Sequence, residues 1–189
     1  YYHFSYGMYA LSKKYYEKAI DRFEKTQGFL NSEEMLNEAI KQKEGKSVDS
    51  QINKIRNANE GDIVEFGKYK WVVIKKNSQQ VLLQTKDSVA NMQYHEEYIP
   101  ITWENCSSRK WLNEDFYNTF DEDEKEYIYN TTIYNDNRYA DSITIGGNDT
   151  SDRVFLLSRH DTIYKKQDSY WLRTPGENNQ SYAMYVYGS

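Results

Sequence analysis

The sequence predicts an α+β chain, with amphipathic helices first and then a larger mixed domain built on an antiparallel sheet with one or two helices. Three observations predict it. Apolar residues recur at helical spacing through the first third of the chain. Short β-branched and aromatic runs, punctuated by turn residues, take over from Asp62. Aromatic residues make up 16% of the 189 positions, with 19 tyrosines among them. Each ring buries on the order of 150–250 Å², so the core can be aromatic.

The helices come in order. Tyr16, Ala19, Ile20 and Phe23 fall on one helical face, while Glu17, Lys18, Asp21, Arg22, Glu24 and Lys25 fall on the solvated one. Gly28 stands where a C-cap belongs. Asn31 with Glu34 reads as the capping box of a next helix, whose apolar face is Met35, Leu36, Ala39 and Ile40. That helix is expected to end near Glu44, with Gly45 after it. Val48, Ile52 and Ile55 then predict a short connecting helix ending near Asn57. The expected organisation is a helical segment over 1–45, a linker helix over 46–60 and an α+β domain over 61–189.

In that domain Ile63–Phe66, Tyr69–Lys75 and Val81–Thr85 read as a three-stranded antiparallel meander. Cys106–Phe120 reads as a helix with Ser107 as N-cap, presenting Leu112, Phe116 and Phe120. Asp121 with Glu124 opens a short acidic helix ending near Tyr129. A polar loop follows from Tyr134 to Asp152, and loops of that length carry function or mobility. Arg153–Ser158 reads as a buried strand, Tyr170–Arg173 as another, and Ser181–Tyr187 as an alternating last one.

Composition narrows the function. The net charge is −5 with both signs mixed, which disfavours nucleic acid, a ligand that needs a basic stripe. No apolar run approaches the ~18 residues of a membrane span. The chain opens inside a helical pattern at Tyr1-Tyr2-His3-Phe4, so we expect a segment of a longer protein, with any anchor lying upstream. Cys106 is the one cysteine, so it builds neither an internal disulfide nor a thiolate zinc site. No G-x-S-x-G, H-E-x-x-H or Walker-type loop is present. His95-Glu96-Glu97 and His160-Asp161 have acid–base character but adjoin no nucleophile motif. No cofactor is expected.

Two resemblances add to this reading. Gly7, Tyr16, Ala19 and Phe23 stand at the spacing of a tetratricopeptide repeat, so residues 1–44 resemble about one such unit plus a further helix. The second resemblance spans about residues 61–189. It is carried by Thr102-Trp103-Glu104-Asn105 through Arg109-Lys110-Trp111-Leu112-Asn113, by Asp152-Arg153-Val154-Phe155-Leu156-Leu157-Ser158, and by Trp171-Leu172-Arg173-Thr174-Pro175-Gly176. These blocks are similar to an uncharacterised bacterial domain family common in Gram-positive gut bacteria. Thr174 stands where that family has serine, and its closing Gly-Val-Arg strand is not seen. The resemblance implies a C-type lectin-like fold, shared with ligand-display proteins and formylglycine-generating enzymes. It also implies chains that are exported or anchored at the cell surface, with a cytoplasmic location as the alternative.

The resemblance makes Trp103, Arg109, Trp111, Leu112, Asn113, Asp152, Trp171 and Arg173 structural motif residues. Arg109, Arg173 and Asp152 together are either a ligand cluster or a buried ion-pair network. The need of a buried guanidinium for a carboxylate favours the network. Asn148, Asp149 and Asp152 offer oxygen ligands as calcium sites do, but without EF-hand spacing, and an Asx-turn loop is the favoured reading. Tyr and Asn are residues that binding loops use. They place the candidate binding surface at Tyr164, Tyr170, Asn178, Asn179 and Tyr182. The expected function is a non-enzymatic recognition or scaffold module for a protein or glycan partner. The alternatives are an enzyme on a formylglycine-generating-type scaffold and an adaptor that assembles through its helices.

Overall fold

A computed structural model of the chain describes residues 2–135, 146–161, 169–176 and 183–186. It has the mixed α+β architecture that the sequence predicts, with helices over residues 2–57 followed by antiparallel sheets and short helices. The chain divides into two compact units, Tyr1–Lys54 and Ile55–Ser189.

The first unit is helical. Helix α1 (Tyr2–Ser12) and helix α2 (Tyr16–Glu24) form a hairpin, and Ala10, Ala19, Phe23 and Ala39 of α3 (Ser32–Asn57) are fully buried at its centre. Phe4, Tyr6, Leu11, Ile20, Met35 and Leu36 pack around them. The small residues matter here. A Cβ on Gly7 would lie 2.7 Å from Cε1 of Phe23, so the ring rests directly on the α1 backbone. The turn into α3 is tied by the Ser32 hydroxyl, which donates to the Thr26 carbonyl at 2.5 Å. Gly28 lies within that turn at φ +78°, beyond the last helical residue of α2.

The helix expected to end at Gly45 does not end there: α3 runs unbroken from Ser32 to Asn57 and includes the expected connecting helix. One interior glycine costs a helix only about 1 kcal/mol. Helical hydrogen bonding continues past it, and Val48 and Ile55 are buried further along.

The second unit starts with β1 (Ile63–Phe66), β2 (Tyr69–Lys76) and β3 (Val81–Thr85), an antiparallel sheet in the order β1-β2-β3. Val64 faces Trp71, and Val72 faces Gln84. Trp71 through Ile74 are all buried, so the central strand is covered on both faces. The register shifts by one between Val73 and Lys75, leaving Ile74 in a bulge. The Trp71 indole N–H donates to the Phe66 carbonyl at 2.9 Å.

The helix expected over 106–120 is a succession of turns of different pitch. After a 3₁₀ turn (Trp103–Asn105) comes α4 (Ser107–Trp111), then one wider π turn (Leu112–Phe116) and a 3₁₀ turn (Tyr117–Thr119). Ser107 is the first helical residue and Cys106 takes the N-cap position. Phe116 and Phe120 fold onto the sheet, with ring centroids 5.1 Å from Tyr69 and 5.6 Å from Phe66 respectively. Helix α5 (Glu122–Lys125) opens on the expected capping box, the Asp121 amide donating to Glu124 at 2.8 Å.

Two further antiparallel pairs follow. Strand β4 (Thr131–Ile133) pairs with β5 (Thr150–Asp152), and β6 (Tyr170–Pro175) pairs with β7 (Ala183–Val186). The strand expected over Arg153–Ser158 is absent: pairing stops at Asp152, and residues 153–158 run as irregular chain. Leu157 is buried and Val154, Phe155 and Leu156 are partly so. Side chains supply most of the backbone partners of this run, and the Leu157 carbonyl accepts from the Arg173 backbone N–H at 3.0 Å.

Candidate functional site

Asp152 is the hub of the motif residues. It closes β5 with a fully buried carboxylate. Three donors reach it: Trp103 Nε1 at 2.9 Å, Arg109 Nε at 2.7 Å and the Thr150 hydroxyl at 2.7 Å. Arg109 also donates to the Glu104 carbonyl at 2.8 Å. A buried carboxylate with this many charge-assisted partners holds the 3₁₀ turn, α4 and β5 together.

Asn113 explains the missing strand. Its amide nitrogen donates to the carbonyls of Arg109 and Val154, at 3.1 and 2.8 Å. Its amide oxygen accepts from the backbone N–H groups of Arg153 and Val154, at 2.9 and 3.3 Å. One side-chain amide thus stands in for a neighbouring strand.

Arg173 does not join Asp152. It donates to the Leu156 carbonyl at 2.8 Å and to the Asp161 carboxylate at 2.9 Å, and its guanidinium lies over the Phe155 ring. The two arginines that the sequence reading grouped therefore serve separate networks. Asp161 also accepts from the Ser158 amide and hydroxyl, at 3.0 and 2.6 Å. Burial works to raise the Asp161 pKa, but the two Ser158 bonds and the Arg173 charge outweigh it and hold the carboxyl below its usual range. The sequence reading took Asp161 with His160 as acid–base in character and missed it as the partner of Arg173.

Asn148 and Asp149 are engaged by protein groups. Asp149 accepts the Asn135 amide N–H at 2.9 Å. Asn148 donates to the Glu104 carboxylate at 3.1 Å, and its carbonyl accepts from the Asn135 side chain at 2.8 Å. Gly147 makes the loop possible. Its φ is +86°, and a Cβ there would lie 2.7 Å from the Thr102 hydroxyl. Among the described residues no group of three His, Cys, Asp or Glu side chains converges as a metal site would need.

Cys106 is buried beneath α4, with its thiol 3.3 Å from the Trp103 carbonyl and from the Ser108 hydroxyl. Burial pushes the neighbouring Tyr94 hydroxyl far above its ordinary pKa, and Cys106 adds to the shift. Beside them Nδ1 of His95 accepts the Ser107 amide at 3.1 Å and lies 2.8 Å from the Ser107 hydroxyl. The imidazole thereby caps the first turn of α4.

The second unit also contains an open trough of about 1150 Å³. Its walls are β3, Thr131–Ile133 of β4, residues 153–158 and the start of β6. Leu82, Leu83, Phe155, Leu156 and Trp171 give it an apolar lining. Gln84 and Arg173 line it too, and Gln84 Oε1 and Arg173 Nε are buried atoms with no hydrogen-bond partner among the described residues. Of the candidate binding residues, Tyr170 lies in this wall. Tyr164, Asn178, Asn179 and Tyr182 lie outside the described residues. Sequence reasoning missed β3 as a wall, because Val81-Leu82-Leu83-Gln84-Thr85 reads as any half-buried strand and nothing local marks it as an edge.

No helix among the described residues is long and apolar enough to cross a membrane. No curated protein and no solved structure matches the chain. A family model described as a domain of unknown function, DUF6273, matches residues 78–189, from the turn before β3 through the Trp103, Asp152 and Trp171 blocks. The chain belongs to the DUF6273 family.

Proposed function

We propose that residues 55–189 form a non-enzymatic recognition module that takes a protein or glycan partner in the trough beside β3. The observation that carries the reading is the trough itself. It is concave, mainly apolar and furnished with a few polar groups, as ligand sites are. The motif residues support it indirectly. Trp103, Arg109, Asn113 and Asp152 are committed to holding the walls. In this reading the scaffold is C-type lectin-like and the module works at the cell surface. The helices before it are a tetratricopeptide-like spacer. The ring of Phe23 against Gly7, beside buried Ala19, is the packing that such a repeat uses.

Peptide and glycan arrays probed with the whole chain and with Leu82→Asp test the proposal. We expect at least one ligand class to be bound by the parent and lost in Leu82→Asp, which places a carboxylate in the trough wall. Ligands held equally by both proteins, or none at all, count against it. An enzymatic alternative has a foothold in the Ser107–His95 pair at 2.8 Å. Covalent labelling of Ser107 by a fluorophosphonate probe, lost in His95→Ala, would favour it.

A further inference from the structure

We infer that residues 86–97 form a pH-sensitive wall of the trough, held against α4 by the neutral His95 imidazole and released when that ring takes up a proton. The inference concerns the protein without any ligand, so it goes beyond the recognition reading and stands or falls apart from it.

The chain between β3 and the 3₁₀ turn at Trp103–Asn105 contains no helix or strand. Connections of that length are uncommon, and those that occur are often functional. Ser88 to Met92 line the trough. Few contacts hold the segment from behind. Tyr94 alone among residues 86–97 is buried, and its ring lies 6.1 Å from that of Trp171. The Trp171 indole N–H donates to the Met92 carbonyl at 3.0 Å. The Ser108 amide donates to the Tyr94 carbonyl at 3.2 Å, and the Glu96 amide donates to the Ser107 hydroxyl at 3.2 Å.

His95 completes this set, and its bonds fix its charge. A backbone amide can only donate, and that of Ser107 donates to Nδ1 at 3.1 Å. Nδ1 therefore carries its lone pair, and the ring is the neutral Nε2–H tautomer. The Ser107 hydroxyl, 2.8 Å away, donates to the same atom. A proton on Nδ1 would face both donors. The hydroxyl can turn to accept, but the amide cannot. Its hydrogen would meet the hydrogen of the ring, so the ring must move off and the amide loses its acceptor.

The surrounding charges favour the released ring. On α4, Arg109 is held by Asp152 and the Glu104 carbonyl, and the Cys106 thiol at its N-cap is buried. Lys110 is exposed. On β6, Arg173 is paired with Asp161. On the segment itself Glu96 and Glu97 are exposed, so the carboxylates next to an imidazolium in the chain stand in solvent. Imidazole changes its charge between about pH 5 and 8, where free carboxylates do not. The Asp161 tie in the same trough lets go only at more acid pH.

The test compares isotope-labelled full chain with His95→Asn at about pH 7.5 and about pH 5, by amide exchange corrected for its intrinsic pH dependence. The side-chain oxygen of Asn stands as many bonds from the backbone as Nδ1 does, and it accepts at both pH values. We expect protection at the Glu96, Ser107 and Ser108 amides of the parent to fall about tenfold at the lower pH. The Trp171 indole N–H should exchange faster as Met92 moves off. In His95→Asn all four should stay constant within about twofold.

Unchanged protection in the parent overturns the inference. So does an equal fall in His95→Asn, which keeps His160 in the trough lining and would place the titration elsewhere. A fall confined to Ser107, with Ser108 and the Trp171 indole unchanged, would be a local change of the helix cap and overturns the release of the wall. If His95→Asn does not fold, the imidazole nitrogen resonances of the parent decide. A hydrogen on Nδ1 at about pH 7.5 overturns the inference, because His95 would not then be the acceptor.

Discussion

Asp152 accepts three hydrogen bonds in a site without solvent, so its removal strands three donors at once. Breaking one partner of a buried pair costs about 3–5 kcal/mol. Asp152→Ala should fall in that range in urea unfolding followed by tryptophan fluorescence, while a loss below about 1 kcal/mol would mean that water replaces the carboxylate. Asp161 makes a pH-dependent contribution. Its folded pKa lies below the ordinary aspartate value of 3.8. The stability it adds is therefore fully present above 3.8, and is lost as pH falls through the lower folded value. The stability difference between the parent and Asp161→Asn should be flat above about pH 5 and should close below about pH 4. A constant difference down to acid pH would rule out this linkage. These networks were half legible in the sequence. Arg109 and Asp152 were read together and are together. Arg173 was read with them and pairs instead with Asp161, because residue type signals the need for a partner but not its identity.

Elements were legible where a single period ran cleanly. The meander over 63–85 and helix α2 match their patterns closely. Two misreadings share a physical cause. Gly45 looked like a stop, yet a glycine weakens a helix by less than its neighbours can supply. The apolar run 153–158 looked like a strand, yet the side chains of Asn113 and Arg173 take the hydrogen bonds that a neighbouring strand would take. Gly7 gives a test at this scale. In an open helix Gly→Ala gains about 1 kcal/mol. Here the new Cβ would meet the fully buried Phe23 ring at 2.7 Å, and overpacking costs about 1–3 kcal/mol. Gly7→Ala should therefore lower the melting temperature read by ellipticity at 222 nm. A rise would show that the ring moves aside.

For the whole molecule, the division between Lys54 and Ile55 sorts the spectroscopic probes. All four tryptophans, Trp71, Trp103, Trp111 and Trp171, belong to the second unit, and the three long helices lie almost entirely in the first. A helical unit of 54 residues is small for independent stability. Ellipticity at 222 nm should therefore be lost at lower urea concentration than tryptophan fluorescence. Coincident curves would mean one cooperative unit, with α3 carrying the coupling across the division.

The wiring of Asp152 and Asn113 also has a kinetic consequence. The bonds from Trp103 and Arg109 to Asp152 close loops of 49 and 43 residues, and the bond from Asn113 to Val154 closes one of 41. The α1–α2 hairpin, by contrast, is joined by a turn of three residues, Lys13 to Tyr15. Long loops must be closed before their contacts contribute, which slows folding. In a refolding jump the helical signal should return first. The change in tryptophan emission that marks Trp103 reaching Asp152 should follow as a separate and slower phase.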